Sequence, residues 1–329
     1  MPKTIIKRPR YDSYNDIPNE YKYLKNKYNW DENESIFFAR ELEYIKAKTY
    51  DIKYPQLKAR SVIPLNLEAN PGAETITYQQ YDQVGMGKII ANYADDLPRA
   101  DVGGKQFHSP VKTIGISYGY NIDEVMAVRM TGKPLEQKRA SAAKRGNLII
   151  ENTIGFFGDT EHNLGGMLNN SNVTVMSIPN DGTGNSKKFT TKTADQIQRD
   201  INSISRQVFT VSKGREYIDT VLLPLASWEL IHNARLPNTR ASVLDWIIDK
   251  SPHIKRIGWL NELETAGAGD TTRMVGYRYD VDALSLEIPL DFSQLPVEPR
   301  NLEFLINTHQ RCGGTIVYYP LSMIYADGI

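Results

Sequence analysis

The chain has 329 residues, and its 39 Lys and Arg are matched by 39 Asp and Glu, so it lacks the basic excess of a dedicated DNA or RNA reader. With 40% apolar and 24% charged residues it is ordinary globular material, and no run approaches the ~18 to 20 apolar residues of a membrane helix. Its single cysteine, Cys312, excludes an intrachain disulfide and a Cys-rich zinc site. The length predicts about two structural units, and the N-terminal Met-Pro-Lys-Thr-Ile-Ile-Lys-Arg-Pro-Arg lacks an apolar leader core, so cytoplasmic synthesis is expected.

Residues 1 to 30 are rich in Tyr, Asn, Lys and Pro without helical or strand period, and read as an extended arm that orders only against a neighbour. The arm's cations Lys3, Lys7, Arg8 and Arg10 are candidates for contact with an acidic partner, with solvation as the plainer alternative. Asp31 and Glu34 form a capping-box-like pair, and Phe38, Leu42 and Ile45 then share one face of a short amphipathic helix. Ser61 to Glu68 reads as strand, and Pro71-Gly72 turns the chain into a second strand-like run from Glu74. That run continues to Asn92. A polar tip, Asp95-Asp96-Leu97-Pro98-Arg99-Ala100-Asp101 with Gly103-Gly104, precedes a return from Phe107 to Tyr120. The result is a long, mostly polar two-stranded excursion, marginal in water unless it packs on something else, for which another subunit is the natural candidate.

Asn121-Ile122-Asp123-Glu124 starts a helix, with a capping Asn and two acids at the positive end of its dipole. Gly132-Lys133-Pro134 breaks it after about Arg129, and Leu135 to Phe157 predicts a second helix ~30 Å or more in length, ended by Gly158-Asp159. Thr193 and Gln196 form another capping box, followed by Ile197, Ile201, Ile204 and Val208 on one face. Beyond them Tyr217–Leu223 reads as strand, Leu225–Ala234 and Ala241–Lys250 as helices, and Ile254–Leu260 and Arg273–Tyr279 as strands. Leu302 to Thr308 and Thr315 to Leu321, joined through Gly313-Gly314, read as a hairpin. The class is α+β, without internal repeats.

Gly115-Ile116-Ser117-Tyr118-Gly119 matches the nucleophile-elbow pattern between a strand-like segment and a helix start, but its residues alternate as in a plain strand and so short a pattern arises easily by chance, so the strand reading is preferred. A hydrolase would need Ser117 together with a following His, such as His232 or His309, and an orienting carboxylate. The five histidines, at 108, 162, 232, 253 and 309, lack close ligand spacing, so no metal or cofactor is expected. Gly182-Thr183-Gly184-Asn185-Ser186-Lys187 lacks the spacing of a phosphate loop and reads as a surface loop. Asp95, Asp96 and Asp101 suit turn chemistry, solvation or pairing with a neighbouring subunit's Arg. Cys312 beside Gly313 has no sequence neighbour that lowers its pKa and reads as structural.

Several stretches resemble the major capsid proteins of tailed bacteriophages. They are Ala39-Arg-Glu-Leu-Glu-Tyr-Ile, Ala69-Asn-Pro-Gly-Ala-Glu-Thr-Ile-Thr-Tyr, Tyr93-Ala-Asp-Asp-Leu-Pro-Arg-Ala-Asp, Lys138-Arg-Ala-Ser-Ala-Ala, Phe156-Phe-Gly-Asp, Gly165-Gly-Met-Leu-Asn and Cys312-Gly-Gly-Thr-Ile-Val-Tyr-Tyr-Pro. The resemblance is collinear from about residue 35 to the end, and extends in fold to encapsulin shells and the floor domain of herpesvirus capsids. It implies an N-terminal arm with a short helix (1–60), an extended β-hairpin loop with flanking peripheral-domain strands (61–120) and a peripheral domain with a long spine helix (121–194). An axial α+β domain (195–298) and a return to the peripheral domain (299–329) complete the implied division.

The implied function is non-enzymatic: copies assemble as pentamers and hexamers into an icosahedral shell around double-stranded DNA, within the virion, after synthesis in the bacterial host cytoplasm. The expected partners are the chain itself, scaffold and portal proteins, a decoration protein and non-specifically held DNA, with no membrane and no cofactor. Intersubunit contacts are expected at Arg8, Arg10, Tyr78, Tyr81, Lys88, Tyr93, Asp95, Asp96, Arg99, Asp101 and Lys105. Lys88 and Lys105 lie where some relatives crosslink through a loop Lys, but no motif fixes a partner and no crosslink is expected. A zero net charge suits a shell that holds DNA without gripping it. The alternatives are an encapsulin-like nanocompartment shell and, from another class, the Ser117 hydrolase.

Overall fold

The computed structural model describes residues 54–84, 101–131, 135–237 and 239–329. The arm, the helix predicted after Asp31 and residues 85–100 of the excursion lie outside them, whereas Asp101, Gly103 and Gly104, expected in the polar tip, belong to a strand. Every described element belongs to one compact unit, Gln56–Ile329. In chain order these are α1 (Ala59–Val62), β1 (Leu65–Asn66), β2 (Thr75–Val84), β3 (Asp101–Pro110), β4 (Lys112–Ile114), β5 (Ser117–Asn121), α2 (Ile122–Thr131) and α3 (Leu135–Phe157). Then follow β6 (Thr174–Met176), α4 (Ala194–Val211), β7 (Thr220–Leu223), α5 (Leu225–Asn233), α6 (Val243–Lys250), β8 (Arg256–Trp259), β9 (Arg273–Tyr277) and β10 (Leu284–Glu287). The remaining strands are β11 (Leu290–Gln294), β12 (Glu298–Arg300), β13 (Glu303–Cys312), β14 (Gly314–Val317) and β15 (Met323–Asp327). No described helix is long and apolar enough to cross a membrane.

The strongest local signals produce the expected elements. Thr193 accepts from the Gln196 backbone while the Gln196 side chain accepts from the Thr193 N–H, and the four apolar residues Ile197, Ile201, Ile204 and Val208 are all buried on α4. Glu124 completes the corresponding half-box at the start of α2, accepting from the Asn121 N–H at 3.2 Å. The 23-residue α3 ends at Gly158, whose φ of +68° favours glycine and whose N–H returns to the Ile154 carbonyl at 2.8 Å. The predicted excursion is a two-stranded sheet, in unbroken antiparallel register from Thr75 opposite Pro110 to Val84 opposite Asp101.

A five-stranded sheet, ordered β6-β15-β9-β7-β8, separates two cores. Strand alternation sorts its side chains: Leu222, Val275, Tyr277, Met323 and Tyr325 join one cluster with Phe156 of α3. Val221, Leu223, Met274, Ile324 and Ala326 face the other way, into a cluster with the apolar stripe of α4 and Ile231, Val243 and Ile247 of α5 and α6. Gly276 in β9 permits this packing, because a Cβ there would stand 2.6 Å from Ile218 Cδ1 and 2.9 Å from Ile204 Cγ2. A strand buried on both faces reads as a continuous apolar run, which is why β9 and β15 carry no alternation in the sequence.

Three expectations are corrected. The long return strand Phe107–Tyr120 is broken into β3, β4 and β5: β3 pairs with β2, whereas β4 and β5 pair with β13. The hairpin through Gly313-Gly314 does not form, because both edges of β13 are already occupied, one by β4 and β5 and the other by β11 and β12. Instead Gly314, at φ +73°, swings the chain away, and β14 pairs antiparallel with β10. The strand expected from Ser61 to Glu68 also fails to run through: Ser61 and Val62 close helix α1, and only Leu65–Asn66 is strand, paired parallel with β10.

Candidate functional site

The hairpin and the long helix α3 are each held in place by a small set of side chains. The β2–β3 hairpin is anchored at its root. Tyr78 stacks on its register partner Phe107, with ring centroids 5.1 Å apart, and meets Tyr318 edge-on at 4.9 Å. Gln80 Nε2 donates to the Tyr318 carbonyl at 2.6 Å, Ser109 Oγ to the Gly313 carbonyl at 3.2 Å, and the Val111 N–H to the Glu74 carbonyl at 2.9 Å. Below the ring, the Tyr318 hydroxyl donates to Glu287 Oε1 at 2.9 Å, and Asn66 Nδ2 donates to the same oxygen at 3.1 Å. Ser285 Oγ is a third donor to that oxygen, and Glu287 itself is buried. Burial pushes the Tyr318 hydroxyl up to about 12, so at neutral pH it remains protonated and donates.

Away from the root the hairpin is exposed, and its described side chains are polar apart from Tyr81 and Val102. Tyr81 is 68% exposed, its hydroxyl donating only to Gln79 on the same strand face, and its ring lies over Gly104, where a Cβ would touch it at 3.4 Å. Lys105, opposite Gln80, is exposed. A 1010 Å³ cleft opens between the hairpin and the segments around Arg215–Glu216 and Tyr318–Leu321. Two strands with solvent on both faces are a poor structure for an isolated molecule and a serviceable one for lapping over a neighbour.

Two charged joints brace α3. Arg60 of α1 makes a bidentate pair with buried Glu151, Nε to Oε1 at 2.6 Å and Nη2 to Oε2 at 2.7 Å, and Nη2 also reaches Asp291 at 2.7 Å. Gln310 of β13 donates to the same Glu151 carboxylate, so one buried acid joins α1, α3 and β13, with β11 attached through Asp291. Across the 132–134 break, Arg139 pairs with Glu124 at 2.8 Å on both nitrogens and donates to the Gly119 carbonyl at 2.6 Å, fixing α2 and β5 to α3. The guanidinium beside Glu124 holds its carboxyl down at about 2.

Of the expected contact residues, Arg8, Arg10, Lys88, Tyr93, Asp95, Asp96 and Arg99 lie outside the described residues, and Asp101 is placed only by its backbone, opposite Val84. Tyr78 spends its ring inside the subunit, whereas Tyr81 and Lys105 face solvent. The sequence reasoning missed Tyr318, Glu287 and the Arg60–Glu151 pair. Phe107 was recoverable as the cross-strand partner of Tyr78, but nothing local marks the others.

The hydrolase alternative finds no support. Ser117 opens β5 in an extended strand opposite Asn307, five residues before α2, rather than on a strand-to-helix turn. No hydrogen bond joins it to a histidine among the described residues: His232 stacks on Trp228, and His309 lies in β13. Nor do the described residues hold a group of three or more His, Cys, Asp or Glu fit for a metal ion. The 182–187 loop closes on itself through Gly182 N–H to the Ser186 carbonyl at 3.0 Å, while Asp181 is paired to Lys192 and Arg199.

The model of the family described as Major capsid protein matches residues 85–329, and no curated protein sequence matches the chain. Among solved structures, the capsid of Myoviridae phage XM1 superposes with a TM-score of 0.76 at 16% identity, covering 90% of this chain and 100% of that one. The capsid of the native GTA particle superposes with a TM-score of 0.60 at 8% identity, covering 87% and 94%. A virus-like particle from Pyrococcus furiosus gives 0.51 at 10% identity, covering 81% and 90%. Such low identities establish a shared fold, and the family match supplies the rest: the chain belongs to the major capsid protein family and is a structural protein of a phage-type shell.

Proposed function

We propose that this protein assembles as pentamers and hexamers into an icosahedral shell that encloses a double-stranded DNA genome. The observation that carries the reading is the β2–β3 hairpin, ten residues per strand, largely exposed along its length and anchored at its root. At about 3.4 Å per residue it extends ~30 Å, the reach needed to lie across an adjacent copy. Many such modest contacts, repeated by symmetry, hold a shell that no single contact would hold. Scaffold, portal and decoration proteins are the partners this role requires during assembly, and DNA is held without a strong phosphate grip because the chain carries no net charge.

The test is to express the chain alone and with the scaffold protein from the same genome, then measure particle mass by light scattering and image the same fractions. Rings, shells or tubes are expected, and filled particles from infected cells should protect double-stranded DNA from nuclease. A monomer under both conditions refutes the reading. The similarity to the Pyrococcus particle favours a second, weaker reading, a compartment that holds protein cargo. Particles containing an enzyme and no nuclease-protected DNA would select it.

A further inference from the structure

The α4–α6 side of the five-stranded sheet carries a 540 Å³ groove lined by the cations Arg199, Arg206 and Lys250, with no carboxylate among its lining residues. Its walls are also apolar: Phe209 is 47% exposed and stacks on His253 at 5.8 Å, and Trp246 lies alongside. Arg199 is engaged by Asp181 and Asp200 and Lys250 by the exposed Asp249, while Arg206 has no ion pair among the described residues. A groove with unspent positive charge over aromatic carbon suits an acidic protein edge better than a nucleic-acid backbone, which would leave the apolar wall uncovered.

Such an edge exists on the same unit. Residues 251–253 of the groove precede β8, which runs parallel to β7, so the groove lies where these two strands begin. Glu264, in the 3₁₀ turn Asn261–Glu264, follows the end of β8, and Asp270 precedes the start of antiparallel β9, which places both carboxylates at the opposite end of the sheet. Both are exposed and without an ion pair among the described residues, and both line a 570 Å³ cleft with Pro224, Ile329 and a single cation, Lys188. Complementary surfaces at opposite ends of one unit make a head-to-tail contact, which closes into a ring when the rotation permits.

We infer that the groove receives the Glu264–Asp270 edge of a second copy of this chain, Arg206 and Lys250 meeting the two carboxylates. The inference rests on the assembly reading and names the faces that meet around the ring. It is tested by cysteine pairing in the full chain, since the native Cys312 is buried and silent. Mixing Ser205→Cys with Thr271→Cys under mild oxidation is expected to give covalent dimers that neither variant gives alone, and the doubly substituted chain a ladder ending at a closed ring. In those backgrounds Arg206→Glu with Lys250→Glu should lower dimer yield by about tenfold or more, and adding Glu264→Lys with Asp270→Lys should restore it. Light scattering on the same samples separates the two claims. Shells without dimers or ladder, or yields indifferent to charge reversal, overturn the inference and leave the assembly reading intact. Neither shells nor dimers overturns both. Acidic-peptide or DNA binding lost in Arg206→Glu without any dimer would assign the groove to another partner and also overturn the inference.

Discussion

Replacing Arg60 by Ala should destabilise the unassembled subunit more than any other single change at its surface. The guanidinium is the only cation on Glu151 among the described residues, and the Glu151 side chain is 1% exposed, so its removal strands a buried carboxylate with one remaining donor, Gln310. Breaking a buried pair from one side costs about 3–5 kcal/mol. Arg60 is itself 32% exposed and its second partner Asp291 is 57% exposed, so water partly replaces the lost group and the low end, about 3 kcal/mol, applies. The assay is urea unfolding of the monomer followed by far-UV circular dichroism, where this loss appears as a lower midpoint with an unchanged slope. Adding Glu151→Gln should recover a large part of the loss, because a neutral amide has no uncompensated charge. A cost under about 1 kcal/mol for Arg60→Ala, or no recovery in the double variant, refutes the claim that a buried acid organises this joint.

Further outcomes follow from the same structure. Tyr78→Ala removes the ring between Phe107 and Tyr318 and should speed limited proteolysis of the β2–β3 hairpin several-fold while leaving the melting of the remaining fold nearly unchanged, which peptide mapping will show. Burial pushes the Cys312 thiol up to about 12, so a thiol reagent at neutral pH should label it only as fast as the protein unfolds, and rapid labelling of the native chain contradicts its position. Glu124 is held at about 2 against an ordinary 4.5, so its bond to Arg139 contributes stability above pH 4.5 that is lost as pH falls through about 2. Glu124→Gln should therefore flatten the acid limb of the stability profile in that window, measured by urea midpoints at stepped pH. Thr193→Ala, which removes the hydroxyl half of the α4 capping box, should cost about 1 kcal/mol in the same unfolding assay.

What could be read without coordinates was whatever depends on neighbours in the chain. The capping box at Thr193 and Gln196, the buried stripe from Ile197 to Val208, the 23-residue α3 stopped at Gly158 and the existence of a two-stranded excursion, though not the start of its return strand at Asp101, all arise from spacings of a few residues or from one connected excursion. The resemblance to capsid proteins rested on short collinear motifs of this local kind. The rest was decided by partners far away in sequence. Whether the chain turns back at Gly313 depends on whether β13 has a free edge, and it has none because strands beginning at Lys112, Ser117, Leu290 and Glu298 have taken both. β15 enters the five-stranded sheet because its alternate side chains fill two separate cores, a requirement invisible in a run that is apolar from Met323 to Ala326. The polar joints follow the same logic: Arg60 meets Glu151 across 91 residues and Asp291 across 231, and Tyr318 meets Glu287 across 31. A buried charge must find its counterpart wherever the fold brings one, and only the closed tertiary structure determines which residue that is.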